Sequence, residues 1–317
     1  MRTQVVATAF GGPDVLSVVH QDVPAPGPGQ VTVEVRAVGM NPVDYKLFSG
    51  YAGADESALP MPVGFEAAGV VTAVGEGARG RGGAVSVGDE VIAYPITGAY
   101  ADAVTVDAAA ITPKPASMSF DAAAGLMLTG ATAVHGLNAV GIIGGTTVLI
   151  HGVSGGVGLT AAQIAIADGA TVVGTASQRH HESLRARGII PVAYGEGLLE
   201  RVREAAPNGI DGAFDCVGTE EAIDVSLALV AHPRLVVTIT AWQRLADGIA
   251  GIGMRPRGPR ADQGIEIRDA ARLRLTALVD DGKLEVVVAK TFPLNQAVEA
   301  TRLLAGEHAG GKVVLLP

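Results

Sequence analysis

Residues 149–158 read LIHGVSGGVG, and the fold follows from how this run is built. A β-branched stretch, Thr146 to Ile150, enters a glycine-dense turn and then an alanine-rich helix. A nucleotide-phosphate loop is assembled in this order. One glycine lets the backbone approach a pyrophosphate, another lets helix pack closely on strand, and the helix N-terminus offers free N–H groups with a partial positive charge. Gly155 and Gly158 fill the first two roles. Strict G-x-G-x-x-G spacing ending at Gly158 asks for glycine at 153, where the chain has Val153, so the flexibility of the turn falls to Gly152 or Gly156. The candidate cofactor loop is therefore Gly152, Ser154, Gly155, Gly156, Val157 and Gly158.

Outward from this loop the chain alternates. After TTVLI come a helix through Gly156 to Ala167, ATVVGTAS, a helix near Ser183 to Arg187, PVAY, a helix near Leu198 to Ala206, GAFDCV, a helix over Glu221 to Val230, and RLVVTIT. Strand–helix alternation of this kind predicts a parallel, doubly wound sheet. The first ~118 residues differ and read as β-rich, because short alternating runs are parted by Gly, Asp and Pro. VTVEVRAVGM alternates through Val31, Val33 and Val35; AAGVVTAVG, DEVIAYP and AYADAVTVD follow. RGRGGAVSVGD (79–89) reads as an exposed loop without structure of its own. Ser119 is a candidate N-cap before an alanine-rich helix, and the tail predicts a helix around Ala270 to Asp281, the strand KLEVVVAK, a helix from Leu294 and a last strand GKVVLLP.

The end of the second strand selects the nucleotide. A site for NAD places a carboxylate there to hold the ribose 2′-OH. The segment from Gly169 to His181 has no Asp or Glu and ends ASQRHH. Ser177 and Arg179 attract a 2′-phosphate that a carboxylate would repel. NADP(H) is favoured; the bland alternative is that Arg179 and the histidines are a solvated helix start.

Composition bounds the rest. At 317 residues the chain is about twice a usual domain length. Hydrophobic residues make up 48% and charged ones 17%, which fits a globular protein with large cores. A net charge of −9 argues against a nucleic-acid partner, which needs a basic face. From Ala122 to Ala167 there is no Asp, Glu, Lys or Arg, yet Thr129, Gly130, Thr132, His135, Asn138 and Gly144-Gly145 interrupt the run, so a buried core is expected and not a membrane span. Cys216 is the lone cysteine, compatible with a reducing cytosol, and is expected to be a small buried hydrophobe and not a nucleophile. The first residues lack the apolar core of a signal peptide. His151, after its strand, either faces the cofactor cleft or is a hydrogen-bonded structural residue, and the second is expected.

NPVDYKLFSG (41–50), GFEAAGVVTAVG, VGDEV, GAYADAVTV, LTGATAVHGL, HGVSGGVGLTAAQIA, FDCVG and the closing GKVVLLP occur here in the order found in zinc-independent medium-chain dehydrogenase/reductases. The chain resembles their quinone oxidoreductase, zeta-crystallin-like group over nearly its whole length. The resemblance implies an α/β fold: a GroES-like catalytic domain of residues 1–119 plus 263–317, with a Rossmann NADP(H)-binding domain of 120–262 inserted. It implies NADPH and a homodimer. Carried over by position, Asn41 and Asp44 lie in the substrate and nicotinamide cleft and Thr132 near the nicotinamide. Ser177, Arg179 and Tyr194 approach the 2′-phosphate, Cys216, Val217 and Gly218 run beside the adenosine, and Lys312 is near the cofactor. GIIPVAYGEG replaces the more usual GADEVIDY, which loosens the assignment of Tyr194.

Zinc-dependent relatives carry a catalytic histidine in GHE and a cysteine upstream; here Phe65 stands in GFE and Met40-Asn41 upstream, so no metal is expected. Without a Lewis acid, hydride transfer favours electrophilic acceptors, namely quinones and α,β-unsaturated carbonyls. Asn41 is the candidate hydrogen-bond donor to the developing oxyanion, unless its amide only fixes the turn before Pro42. Tyr45, Tyr51 and Tyr94 either shape the acceptor pocket, deliver a proton or simply pack; solvent is an equal proton source. The expected activity is a cytoplasmic NADPH-dependent reductase. An enoyl reductase dedicated to one biosynthetic intermediate and a non-enzymatic NADPH-binding protein are the rivals. Trp242 and the loop to Arg260 either cover the cleft mouth or make a dimer contact.

Overall fold

The computed structural model describes residues 1–51, 53–253, 261–306 and 310–317, side chains of 261–263 excepted. The loop leading to Arg260 lies, over 254–260, outside the described residues. The chain divides into two compact units: Met1–Leu128 with Leu273–Asp280 and Glu285–Pro317, and Thr129–Arg272 with Asp281–Leu284.

The first unit is built on the long strand Gln30–Gly39. Val31, Val33 and Val35 are buried while Glu34 and Arg36 are exposed, the alternation its period-2 pattern demands. Among the described residues seven strands form its main sheet. Ile111–Pro113, Glu90–Ala93, Ala67–Val74, Gln30–Gly39, Lys312–Leu316 and Val288–Pro293 lie in that order, and Ala103–Asp107 also pairs with Gln30–Gly39. Lys312–Leu316 runs antiparallel to Gln30–Gly39, with Val314 opposite Gly39, so both ends of the chain build this sheet. That register brings Lys312 beside Met40 and Asn41. A smaller sheet pairs Arg2–Ala7 with Leu16–Gln21 and Met61–Pro62.

Three local expectations change. The 79–89 stretch is not structureless: Arg79–Gly80 pairs with Gly83–Ala84 in a short hairpin, turned by Arg81 and Gly82 and followed by Gly83 at φ +116°. The strand read in KLEVVVAK begins only at Val288 and continues to Pro293, because its backbone partner is Lys312–Leu316 and register, not β-propensity, sets its limits. The alanine-rich helix is split into Phe120–Ala124, capped by Ser119 Oγ accepting from Ala122 N, and Met127–Val140.

The second unit is a parallel sheet. Among its described residues six strands lie in the order Ile190–Val192, Thr171–Thr175, Thr147–His151, Gly212–Asp215, Val236–Thr238, Ala250–Gly251. Numbered along the chain this is 3-2-1-4-5-6, the doubly wound order whose switch point lies beside the first strand. Val148, Leu149 and Ile150 are buried on both faces, as a central parallel strand requires. Among the described residues no helix is long and apolar enough to cross a membrane. The uncharged run instead supplies the buried faces of Met127–Val140 and Gly156–Ala167.

Candidate functional site

The glycine loop leaves the first parallel strand at His151 and enters the helix Gly156–Ala167 with Gly155 as N-cap. Gly152 takes the left-handed conformation at φ +73°, so the tight turn is made there and not at 153. A side chain at 152 would also meet Val217 at 2.6 Å, which packs the 216–218 segment onto the loop. A Cβ on Gly158 would stand 2.9 Å from the Val153 Cα, so glycine there permits the close approach of helix to turn. Val153 is fully buried beneath the loop. Its methyls occupy the space where Gly174, on the neighbouring strand, lacks a side chain; a Cβ at 174 would lie 2.5 Å from a Val153 methyl. Val153 thus packs under the turn and does not crowd its open side.

The loop amides divide into two sets. Gly152 N donates to Thr175 Oγ1 (3.1 Å), Val153 N to Thr175 O (3.1 Å) and Gly155 N to Gly152 O (3.0 Å). The first helical bond runs from Leu159 N to Gly155 O at 2.8 Å, which leaves Gly156, Val157 and Gly158 with the N–H groups that a helix start directs outward. Nearby, buried Asp215 organises two loops. Its Oδ1 accepts from Val217 N and Gly218 N, and its Oδ2 from the Thr238 and Thr240 hydroxyls. Cys216 is half-buried directly after its strand, and burial followed by the Asp215 charge pushes its thiol well up, away from nucleophilic use.

At the end of the second strand, Ser177 precedes a short 3-10 turn and makes no capping bond. Arg179 Nε donates to His180 Nε2 (3.1 Å) on the surface. Tyr194 is 61% exposed. The loop that carries it is held from behind by Arg201, whose guanidinium donates to the carbonyls of Ala193, Gly195 and Glu196 at 2.8–2.9 Å. Thr132 is buried in the helix Met127–Val140.

The first unit holds a second constellation. NPVD starts a helix, Pro42–Phe48, with Asn41 as N-cap, Pro42 at its first position and Asp44 Oδ2 accepting from Asn41 N at 2.8 Å. Asn41 Nδ2 donates to Glu66 Oε1 (2.9 Å) and Gly39 O (3.2 Å), while its Oδ1 accepts from Lys312 Nζ at 2.6 Å. Lys312 Nζ also reaches Met40 O (2.9 Å) and Glu66 Oε1 (3.0 Å). Glu66 Oε2 accepts from Leu128 N at 2.8 Å. Two glycines make room. A Cβ at 39 would lie 2.8 Å from the Glu66 carboxylate, and one at 125 would lie 2.9 Å from the Lys312 stem. Tyr100 donates to Asp44 Oδ2 (3.0 Å), and Asp44 Oδ1 is buried without a partner. Burial, foremost, pushes the Asp44 carboxyl up to about 7 against the opposing pull of Asn41, Tyr100 and Lys312.

Of the residues read from sequence, the structure gathers Asn41, Asp44 and Lys312 into one network. Both amide hydrogens of Asn41 point at protein acceptors and it is 1% exposed, so its side chain is a framework element here. Tyr45 packs against the apolar core and Tyr94 is buried. Glu66, Tyr100, Thr175, Ser226 and Asp215 were missed. Glu66 and Asp215 had a signal: each is an acid set in an apolar strand context, where burial demands several donors.

Residues 27–116 match the family model described as alcohol dehydrogenase GroES-like domain, and 186–315 the one described as zinc-binding dehydrogenase. The synaptic vesicle membrane protein VAT-1 homolog of Mus musculus is 30% identical over 99% of this chain and 83% of its own. Mouse quinone oxidoreductase is 30% identical over 97% of this chain and 95% of its own. A mycobacterial protein solved in complex with NADPH superposes with a TM-score of 0.81 at 30% identity, covering 100% of both chains. The glycine loop on a 3-2-1-4-5-6 sheet, the GroES-like match and these relatives agree: the chain belongs to the medium-chain dehydrogenase/reductase family and, like its quinone oxidoreductase relatives, is an oxidoreductase.

Proposed function

We propose that this chain is an NADPH-dependent, zinc-independent reductase of quinones or α,β-unsaturated carbonyls, acting in the cytoplasm as a homodimer. One observation carries the cofactor reading: the second parallel strand of the Rossmann sheet, Thr171–Thr175, is followed by Ser177 and Arg179, with no carboxylate between Gly169 and His181. The outward amides of Gly156, Val157 and Gly158 suit a pyrophosphate, and the glycine positions that a Cβ would fill suit its close approach. Ser177, Arg179 and exposed Tyr194 would take the 2′-phosphate, and Val217 and Gly218, tied down by Asp215, the adenosine side. Thr132 is assigned to the nicotinamide and Lys312 to a position near the cofactor. When bound, the dinucleotide supplies the hydride. The protein's part is to hold that group and exclude water.

The donor set around Glu66 supports the zinc-free reading. Phe65 and Met40 stand where zinc relatives place ligands. The adjoining carboxylate, Glu66, already faces the Lys312 ammonium at 3.0 Å, which repels a divalent cation and satisfies the Glu66 oxygen it faces. Lacking that Lewis acid, the site suits acceptors that are electrophilic without it. Helix start Asn41–Tyr45 is the catalytic candidate segment, with Asn41 and Asp44 as its frame. Burial raises the Tyr45 phenol above its ordinary value, further from ionisation.

The test is a fluorescence titration with NADPH and NADH, followed by NADPH oxidation against quinone and enone panels. NADPH should bind at least about tenfold more tightly, and Arg179→Glu should erase that preference. A preference for NADH, or no turnover with any acceptor, would sink the proposal.

A further inference from the structure

Behind the glycine loop lies a chain of buried polar side chains to which the proposed reaction gives no task. His151 ends the first parallel strand, with Thr175 beside it in register on one neighbouring strand and Asp215 on the other. Ser226, on the helix Glu220–Leu229, is fully buried. His151 Nε2 lies 3.0 Å from Ser226 Oγ and its Nδ1 3.3 Å from Thr175 Oγ1.

The directions of these bonds can be derived. A hydroxyl has one hydrogen, and Ser226 gives its own to Ala222 O at 2.7 Å. Ser226 must then accept from His151, which places a proton on Nε2. In the neutral ring Nδ1 is an acceptor, so the Thr175 hydroxyl donates to it. That hydroxyl in turn accepts from Gly152 N at 3.1 Å. The result is a one-way series: Gly152 N–H to Thr175, Thr175 to His151, His151 to Ser226, Ser226 to the Ala222 carbonyl. Every donor along it has one acceptor. Burial holds the ring neutral, lowering its pKa to about 4 against the raising influence of Asp215.

The series terminates at the left-handed residue that turns the loop. Thr175 takes two consecutive loop amides, Gly152 on its hydroxyl and Val153 on its carbonyl, and His151 fixes the rotamer that makes the first possible. We propose that His151 is a positioning residue for dinucleotide binding: as the Nε2–H tautomer it locks Thr175, hence Gly152, and so sets where the Gly156–Gly158 amides point. It touches neither cofactor nor acceptor. This inference rests on the dinucleotide reading above.

The experiment uses the full chain with NADPH as probe, reading its dissociation constant by fluorescence and kcat at saturating NADPH, with a thermal melt on each variant. Thr175→Val, nearly isosteric, should weaken NADPH about tenfold while kcat at saturation stays within about twofold. Thr175→Ser, which restores the hydroxyl, should recover wild-type affinity. His151→Leu should weaken NADPH as Thr175→Val does, and His151→Asn, whose carboxamide oxygen can stand in for Nδ1, should recover part of it. Should His151→Leu fail to fold, the Thr175 pair decides. Equal NADPH affinity in wild type and Thr175→Val, or no recovery in Thr175→Ser, overturns the proposal and leaves the dinucleotide reading intact. Wild type that binds no dinucleotide overturns both.

Discussion

Two buried polar networks, one in each unit, solve the same problem in opposite ways. Around Lys312 the solution is ionic: an ammonium and the Glu66 carboxylate are both withdrawn from water and satisfied by each other, by the Asn41 amide and by backbone groups. Around His151 the solution is neutral: four groups pass hydrogen bonds in one direction to a carbonyl. An ionic network tolerates many donor arrangements but not the loss of one charge. A neutral one tolerates no reversal of donor and acceptor, and removing a member strands a neutral group, a smaller penalty than a stranded charge. The first therefore governs whether its unit holds together; the second governs local geometry.

The largest effect should come from splitting the ion pair. Lys312→Met, which strands Glu66, should lower stability by about 3–5 kcal/mol in urea denaturation. Adding Glu66→Gln to it should restore a substantial part. If the double variant is no more stable than the single, the network is not primarily ionic and the contrast fails. A smaller loss, about 1–3 kcal/mol, is expected for Ser226→Ala, which leaves the His151 Nε2–H without its acceptor. Should Ser226→Ala prove as damaging as Lys312→Met, the neutral network is no less structural than the ionic one. Gly174→Ala should destabilise by about 1–3 kcal/mol through overpacking on Val153, and Val153→Ala in the same chain should relieve it.

The smallest and most diagnostic effect is on pH dependence. Asp44 titrates at about 7 in the fold against an ordinary 3.8, with Tyr100, Lys312 and Glu66 facing it. The folded chain holds that proton more tightly, so the contribution of Asp44 is full below 3.8 and is lost as pH rises through about 7. His151 titrates at about 4 against an ordinary 6.5, so its contribution is full above 6.5 and is lost as pH falls through about 4. The two slopes oppose each other. Denaturant midpoints measured across this range should show Asp44→Asn flattening only the neutral-side decline and His151→Gln only the acid-side decline. Either variant moving the opposite arm contradicts the assignment.

Much of this architecture is legible in the linear chain. The period-2 run of Val31, Val33 and Val35, the TTVLI–glycine–helix order and the strand–helix alternation each state a local geometry that the fold adopts. The hairpin at 79–84 and the start of the strand at Val288 were not readable, because both are decided by pairing partners far away or by turn geometry. Site residues divide the same way. Asn41 and Lys312 are separated by 271 positions and meet only because Val314 lies opposite Gly39. The role of Asn41 turns on three partners that no spacing rule supplies. Thr175 and Ser226 are ordinary hydroxyls until the sheet order places them on either side of His151.

Val153 and Gly174 have a consequence for how such loops can change. The glycine absent from position 153 is present across the sheet at 174, so the vacancy the motif requires has moved sideways while its volume is kept. Neither position is free to vary alone: enlarging 174 first produces a clash, and shrinking 153 first produces a void. A lineage passing between the two arrangements must cross a less stable intermediate or change both residues together. The loop's packing is therefore shared between a turn and the neighbouring strand, and a pattern scanned along a single dimension reads Val153 without the Gly174 that makes room for it.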